Sequence, residues 1–154
     1  MDAKVIASYF IKKANRLGEE DADFDGNNDL TNLKLQKILY FSQAEYMREN
    51  NGKKLFNNDI EAWQYGPVVK DVYEWLRGCG AFAITEMDVE LCNTDTIPDD
   101  VREFLDRMWN KYNTFSAWGL VQKTHKAGSA WSKTYRGGLG NRSIISPSLM
   151  ATSA

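Results

Sequence analysis

The sequence is poor in the residues that build metal and redox centres. Its two cysteines, Cys79 and Cys92, have a spacing that fits neither a zinc pattern nor a redox pair. The single histidine, His125, has no second histidine or paired cysteine at a useful distance along the chain. We therefore predict no metal site and no cofactor, and we interpret both cysteines as reduced, structural thiols.

Long apolar runs are also absent. No run approaches the ~20 residues that a membrane-spanning helix needs, and the N-terminal MDAKVIASYF lacks the features of a secretory signal. We therefore expect a cytoplasmic protein without a membrane segment. The composition itself is globular, with 43% apolar and 12% aromatic residues in 154 positions. This predicts one domain with a sizeable buried core.

The C-terminal third lacks acidic residues altogether. All 21 acids lie in residues 1–106, whereas residues 107–154 contain seven bases and no acid. Such a split is typical of a basic surface that meets an acidic partner or nucleic acid. The alternative is that the basic segment packs on the acidic body of the same chain, with its charges solvated.

Apolar periodicity predicts two long helices in the first third of the chain. Residues 2–17 place apolar side chains at spacings of three and four, and Gly18 is predicted to end that helix. A second helix is predicted to start after Thr31, whose hydroxyl suits an N-cap, and to end at Asn51-Gly52. Its broad apolar surface is typical of a central helix.

The remaining pattern predicts shorter elements. Residues 59–63 alternate and suggest an extended segment, whereas Pro67 is predicted as the first residue of a third helix. Residues 81–95 fit a short hairpin or an irregular crossing. Further helices are predicted from about Pro98 to Tyr112 and after the cap Ser116, with at most one short helix beyond them. The predicted fold is mainly α: a compact single-domain bundle of about five to six helices with at most a small β element.

The stretch DADFDGNND resembles the start of a calcium-binding loop. It matches the first four informative positions of the pattern, namely Asp21, Asp23, Asp25 and Gly26. The twelfth position, where the loop needs a bidentate glutamate, is Asn32, and the usually apolar eighth position is Asn28. We therefore interpret the stretch as an acidic connection between two helices.

No catalytic set can be assembled from the sequence. A nucleophile–base–orienter arrangement would depend on His125, and Ser116, Ser129 and Ser132 lie in no recognisable nucleophile motif. The segment GGLGNRS lacks the lysine and hydroxyl ending of a phosphate loop and follows no predicted strand. We predict no catalytic residues and no enzyme activity. His125 is interpreted as structural or as part of a partner contact.

Four aromatic residues leave two interpretations open. Trp63, Tyr65, Trp118 and Trp131 could belong to the core, as most aromatic residues do, or to a partner-binding surface, where tryptophan and tyrosine are common anchors. The run Ala62–Pro67 is typical of a rigid corner that leads into a helix, which keeps an interface there open beside the more common core interpretation.

Three blocks of the sequence resemble a known family. LTNLKLQKILYFSQAEYM at 30–47, LFNNDIEAWQYGPVVKDVYEWLRGCG at 55–80 and SAWGLVQKTHKAGSAW at 116–131 resemble the Panacea, or SocA-like, antitoxin family. Some members of this family are phage-associated proteins of the GepA type. The resemblance covers roughly residues 5–146, so we predict a Panacea-like domain over 1–146 and a C-terminal tail over 147–154.

The resemblance implies a small helical domain that neutralises a toxin by binding it. One member also delivers its toxin to a cytosolic protease, so an adaptor role is implied as well. Carried over by motif position, the expected partner-binding residues are Lys34, Lys37, Tyr40, Trp63, Tyr65, Gly66, Pro67, Val68, His125 and Trp131. Leu35, Leu39 and Phe41 are expected in the core.

We therefore predict a non-catalytic protein-binding module with an antitoxin-like role. Its expected partner is a cognate toxin or a host protein, and a homodimer is compatible with the aromatic content. A first alternative is a phage-encoded or prophage-encoded effector that binds a host or defence protein. A second, less favoured, is a nucleic-acid binder that uses the basic C-terminal third, whose affinity would fall steeply with salt.

Overall fold

The computed structural model describes residues 1–20 and 28–154 of the chain. The predicted mainly α architecture is confirmed, with seven α-helices in the described residues instead of five or six. The helices are α1 (Ala3–Glu20), α2 (Asn32–Glu49), α3 (Lys70–Trp75), α4 (Asp99–Tyr112), α5 (Ala117–Thr124), α6 (Ala130–Tyr135) and α7 (Pro147–Ser153). The strands β1 (Glu61–Trp63) and β2 (Gly66–Val68) pair as a small antiparallel hairpin. Short 3₁₀ turns follow α3 at Arg77–Cys79 and α6 at Arg136–Gly138.

Helix α2 is the centre of the fold. Fourteen of its 18 residues are buried, and it contacts α1, α3, α4, α5, α7 and β2. The Thr31 side chain accepts a hydrogen bond from the backbone N–H of Lys34, as the N-cap prediction requires. Leu35, Leu39 and Phe41 are at most 3% exposed, so their assignment to the core is confirmed.

Buried polar side chains of α2 organise the segments around it. The Gln43 amide accepts from the backbone N–H of Leu55 and donates to the carbonyl of Phe56, each at 2.8 Å. The Gln36 amide accepts from the backbone N–H of Val69 at 2.8 Å. Since buried backbone groups need partners, these side chains fix the irregular chain on either side of the hairpin.

Helix α4 joins the bundle through aromatic stacking and ion pairs. Tyr112 stacks on Phe41 with a centroid separation of 5.0 Å. On the surface, Arg107 forms two hydrogen bonds to the Glu49 carboxylate, and Lys111 pairs with Glu45 at 2.7 Å. For these two bases, the structure supports the interpretation in which the basic segment packs on the acidic body.

Three local predictions require correction, and one pair of alternatives is resolved. Helix α1 continues through Gly18 to Glu20, so glycine does not end it. Pro67 does not begin a helix: it lies in β2 opposite Ala62, and α3 begins at Lys70. Residues 81–95 contain no strand, which leaves the irregular crossing of the two alternatives. The C-terminal segment contains two helices, α6 and α7, where at most one was predicted.

The calcium-loop interpretation falls on residues 21–27, which lie outside the described residues. The twelfth position of that pattern is described. The Asn32 amide donates to the carbonyl of Tyr73 at 3.3 Å and accepts from Gln36 at 2.9 Å. These bonds tie the start of α2 to α3.

Residues 147–153 form α7, which packs against α2 and α6. The segment after the predicted boundary at residue 146 is therefore part of the helical bundle. Whether the family domain ends at that residue stays a prediction. Across residues 1–20 and 28–154, none of the helices combines the length and apolar character that a bilayer crossing requires.

Candidate partner-binding site

The β-hairpin carries the residues of the predicted corner. Trp63 pairs with Gly66 across a two-residue turn made of Gln64 and Tyr65. Gly66 has φ +108°, a conformation that L side chains rarely adopt. The turn consequently projects Tyr65 outward while Gly66 and Pro67 lie against α2.

Lys37 of α2 lies directly beneath the hairpin. Its side chain is fully buried, and Nζ donates to the carbonyl of Pro67 at 3.0 Å. Among the side chains of residues 1–16 and 28–154, no carboxylate pairs with it. Burial lowers the pKa of Lys37 from 10.5 to about 7, because a charged amine is poorly solvated there.

An aromatic stack supports the other side of the hairpin. The His125 ring lies parallel to Trp131 at 3.8 Å, and Trp131 stacks on Tyr135 at 4.7 Å. The Trp131 indole N–H donates to the carbonyl of Trp63 at 2.7 Å, which joins the stack to β1. Burial, and then the neighbouring Lys37 charge, lower the pKa of His125.

A cavity of about 440 Å³ opens beside the hairpin. Its walls contain three aromatic side chains (Trp63, Tyr65, Tyr73), three bases (Lys37, Arg77, Arg142) and four amides (Asn32, Gln36, Gln64, Asn141). In the described part of the chain, its lining includes no aspartate or glutamate. The cavity therefore combines apolar surface with positive charge.

An exposed aromatic pair lies beside this cavity. Tyr65 is 51% exposed and Trp118 is 58% exposed, and their rings meet at right angles with centroids 5.7 Å apart. Trp118 belongs to α5, which starts at the confirmed cap Ser116. We call Tyr65 and Trp118 the aromatic pair. Large aromatic side chains that remain in water are typical of interaction sites.

The residues predicted to bind a partner separate by exposure. Tyr65 is exposed, and Trp63 and His125 are half-buried. The others are buried: Lys34, Lys37, Tyr40, Gly66, Pro67, Val68 and Trp131. All of them except Lys34 and Tyr40 lie in the hairpin or in the shell that directly supports it.

Lys34 has a separate structural environment. Its Nζ lies 3.0 Å from both carboxylate oxygens of Asp29 and donates to the carbonyl of Asn113 at 2.7 Å. Tyr40 is likewise fully buried, within van der Waals packing against Phe41. Neither side chain reaches the surface, so our proposed interface does not include them.

Sequence reasoning did not select two arginines of the cavity. Arg77 follows α3, and Arg142 lies in the loop before α7 with its guanidinium 4.2 Å from the centroid of Trp63. The available signal was the absence of acids near Arg142 in the sequence. That signal could not place it on Trp63, about eighty residues earlier.

Comparisons with known proteins connect this arrangement to a family. The family model described as Antitoxin SocA-like, Panacea domain, matches residues 35–132, which is more than half of the chain. The chain belongs to this family. Antitoxin SocA of Caulobacter vibrioides (strain NA1000 / CB15N) is 27% identical over 139 residues, which cover 85% of this chain and 69% of that protein. No solved structure matches the chain.

The family resemblance seen in the sequence is therefore confirmed. The matched Panacea domain includes Lys37, the hairpin, the aromatic pair and the stack as far as Trp131. Arg142 and α7 follow the end of the matched range, although both pack against elements within it. The cavity is thus built mainly from the matched domain, together with Asn32 and Leu33 just before it and Asn141 and Arg142 after it.

Proposed function

We propose that this chain neutralises a toxin protein by binding it directly. Its membership of the antitoxin SocA-like family supports an antitoxin role. The similarity to Antitoxin SocA, which extends over most of both chains, supports the same role. Family membership also favours a binding role over catalysis.

The observation that most directly supports a binding site is the exposed aromatic pair. Two large rings remain half in water, yet they pack against each other and stand on rigid elements, the hairpin turn and α5. Such anchors lose little conformational freedom when a partner covers them. The surface proposed for the toxin is therefore the aromatic pair with the adjoining cavity.

Trp63 has a different role in this proposal. Its ring is covered by Arg142 and meets Tyr73 edge-on at 4.9 Å, and its indole N–H donates to Glu61. The carbonyl of Trp63 also accepts from Trp131. We propose that Trp63 supports the interface, whereas Tyr65 and Trp118 contact the toxin.

The decisive experiment is co-expression with the protein encoded next to this chain. The neighbour alone is expected to stop growth, and co-expression of this chain is expected to restore it. A harmless neighbour would overturn toxin neutralisation and favour the alternative of an effector that binds a host protein. Unchanged toxin abundance during rescue is expected for masking, whereas loss of the toxin would identify delivery to a protease.

We expect the double substitution Tyr65→Ala/Trp118→Ala to abolish rescue. Removing both anchors should weaken toxin binding by about 30-fold or more, measured by calorimetry with the purified neighbour. The thermal melt and helical circular dichroism should remain those of the wild type, since both side chains are exposed.

The matched control is Met87→Ala, which removes a side chain that is 96% exposed and lies outside the cavity lining. It should rescue growth like the wild type. Full rescue by the double variant would place the toxin elsewhere on the surface.

The nucleic-acid alternative has less support. Of the seven bases in residues 107–154, Arg107 and Lys111 are engaged by carboxylates of α2. These two ion pairs reduce the positive charge that the segment offers to a phosphate backbone.

A further inference from the structure

Two arginines in the cavity have guanidinium groups to which the described part of the chain supplies no carboxylate partner. Arg77 and Arg142 line the same cavity, and in the described residues neither forms an ion pair. Both side chains are exposed at its mouth, while Lys37 lies in its inner wall. By contrast, Arg107 donates hydrogen bonds from two nitrogens to the carboxylate of Glu49.

The position of Arg142 is fixed by its backbone. Its N–H donates to the carbonyl of Ala62 at 2.7 Å, and the N–H of Ala62 donates to the carbonyl of Ser143 at 2.8 Å. Arg142 adopts φ +65°, a left-handed conformation that is uncommon for a residue other than glycine. The loop therefore holds this arginine beside β1 in a sparsely populated conformation, an arrangement that recurs at binding sites.

Stacking leaves the hydrogen-bond donors of Arg142 available. Its guanidinium lies 4.2 Å from the centroid of Trp63. The donors of a guanidinium lie in its plane, so a group that covers its face does not consume them. An arginine presented in this way matches the two oxygens of a carboxylate.

The aromatic residues of the cavity favour a carboxylate over a nucleotide. Trp63 already packs against Arg142 and Tyr73, so its ring is not a bare platform for a base. Tyr65 is engaged edge-on by Trp118. What stays available is a pair of guanidinium groups beside apolar surface, in a volume of about 440 Å³ that admits a side chain or two.

We propose that the cavity binds an acidic side chain of the protein partner, with Arg142 and Arg77 holding its carboxylate next to the aromatic pair. The partner is taken to be the toxin, so in that respect the inference rests on the proposed function. The toxin segment would thus carry a glutamate or aspartate close to the apolar groups that cover Tyr65 and Trp118.

The test uses the whole ¹⁵N-labelled chain and a capped hexaglutamate peptide as the probe. We expect saturable shifts of the Trp63 indole N–H, of the Arg142 side-chain N–H and of backbone signals around the cavity. A capped hexaglutamine peptide should leave these signals unchanged. Arg142→Gln should weaken hexaglutamate binding by about tenfold or more, because it removes a charged pair of hydrogen bonds.

The matched control is Arg136→Gln. Arg136 is also exposed, also has a left-handed backbone with φ +49°, and lies outside the cavity lining. This variant changes the net charge equally and should bind hexaglutamate as the wild type does. Signals far from the cavity should be unchanged in both variants, which establishes that each is folded.

Three outcomes would overturn the inference. If hexaglutamate binding weakened equally in Arg142→Gln and Arg136→Gln, net charge alone would explain it. Signal shifts outside the cavity would show that the peptide binds elsewhere on the protein. Tighter binding of inorganic phosphate or single-stranded DNA than of hexaglutamate in the cavity would show that the site selects phosphate and not carboxylate groups.

Growth rescue separates this inference from the proposed function. Rescue by the wild type together with no binding of hexaglutamate would overturn the carboxylate site and leave neutralisation standing. Cavity binding that Arg142→Gln weakens, without any rescue by the wild type, would support the carboxylate site and overturn neutralisation.

Discussion

Gly66→Ala is expected to destabilise the protein by about 3 kcal/mol or more, through strain and steric conflict together. An ideal Cβ at this position would lie 2.7 Å from Cε of Lys37 and 2.8 Å from Oγ1 of Thr124. The Thr124 hydroxyl is held by the carbonyl of Val121 at 2.7 Å, and Lys37 is buried, so neither neighbour moves freely. The backbone at φ +108° adds strain for any residue with a side chain.

Thermal and urea unfolding would measure this effect, with the melting temperature expected to fall by about 6–12 °C. Gly52→Ala is the matched control, because Gly52 also has positive φ (+85°) but no atom within 4 Å of its Cβ position. It should show the strain alone, about 1–2 kcal/mol. Equal losses in the two variants would mean that Lys37 and Thr124 adapt easily and that the hairpin sits less tightly on α2.

The hairpin illustrates where local sequence rules give way to tertiary contacts. Gly66-Pro67 matches a helix start, since proline suits the first helical position. In the structure, however, the Val69 N–H is taken by Gln36 and the Pro67 carbonyl by Lys37, both from α2. These long-range partners fix residues 66–69 as extended chain, and the helix begins only at Lys70. No window of neighbouring residues contains that information.

Other parts of the fold follow from short-range chemistry. Thr31 and Ser116 cap their helices through the side-chain bonds that their positions predict, and α4 follows its apolar periodicity. These features depend on residues three or four apart. By contrast, the continuation of α1 past Gly18 shows that one glycine is a weak stop signal inside a helix that packs along its length.

The candidate site was predictable in part. The motif that contains Trp63, Tyr65 and Gly66 falls on the hairpin, although no hairpin was predicted there, and Tyr65 is exposed at its turn. The burial of Lys37 was not predictable, because lysine is almost always on the surface. Lys37 is buried because the hairpin covers it, and that contact joins segments about thirty residues apart in the chain.

Lys37 should make the stability of the protein depend on pH above neutrality. Burial lowers its pKa from 10.5 to about 7 in the folded chain. Between these values the unfolded chain holds a proton that the folded chain lacks, so raising the pH favours folding. Below about pH 7 the amine is charged in both states, and the full energetic penalty of burying the charge persists. The free energy of unfolding should therefore rise above neutrality, by up to about 1.4 kcal/mol per pH unit.

Lys37→Met isolates this effect, because methionine has a similar length and does not titrate. Its loss of the hydrogen bond to Pro67 should lower stability by an amount that does not depend on pH. Urea titrations of both proteins from about pH 6 to about pH 9.5 would measure the difference in unfolding free energy. Groups that Lys37 does not influence, including Cys79, whose pKa burial raises, titrate in both proteins and cancel in that difference. His125 does not cancel, because the Lys37 charge lowers its pKa, but that pKa lies below its ordinary value of 6.5 and so outside the interval above neutrality in which the effect is measured.

The wild type should gain about 2–3 kcal/mol over the variant between about pH 7 and about pH 9. Parallel curves would mean that Lys37 stays charged beneath the hairpin. The contact to Pro67 would then hold a full charge, and a cation in the inner wall would add to the attraction that Arg77 and Arg142 offer at the mouth of the cavity. A rising difference would instead assign the attraction for a carboxylate at neutral pH mainly to the two arginines.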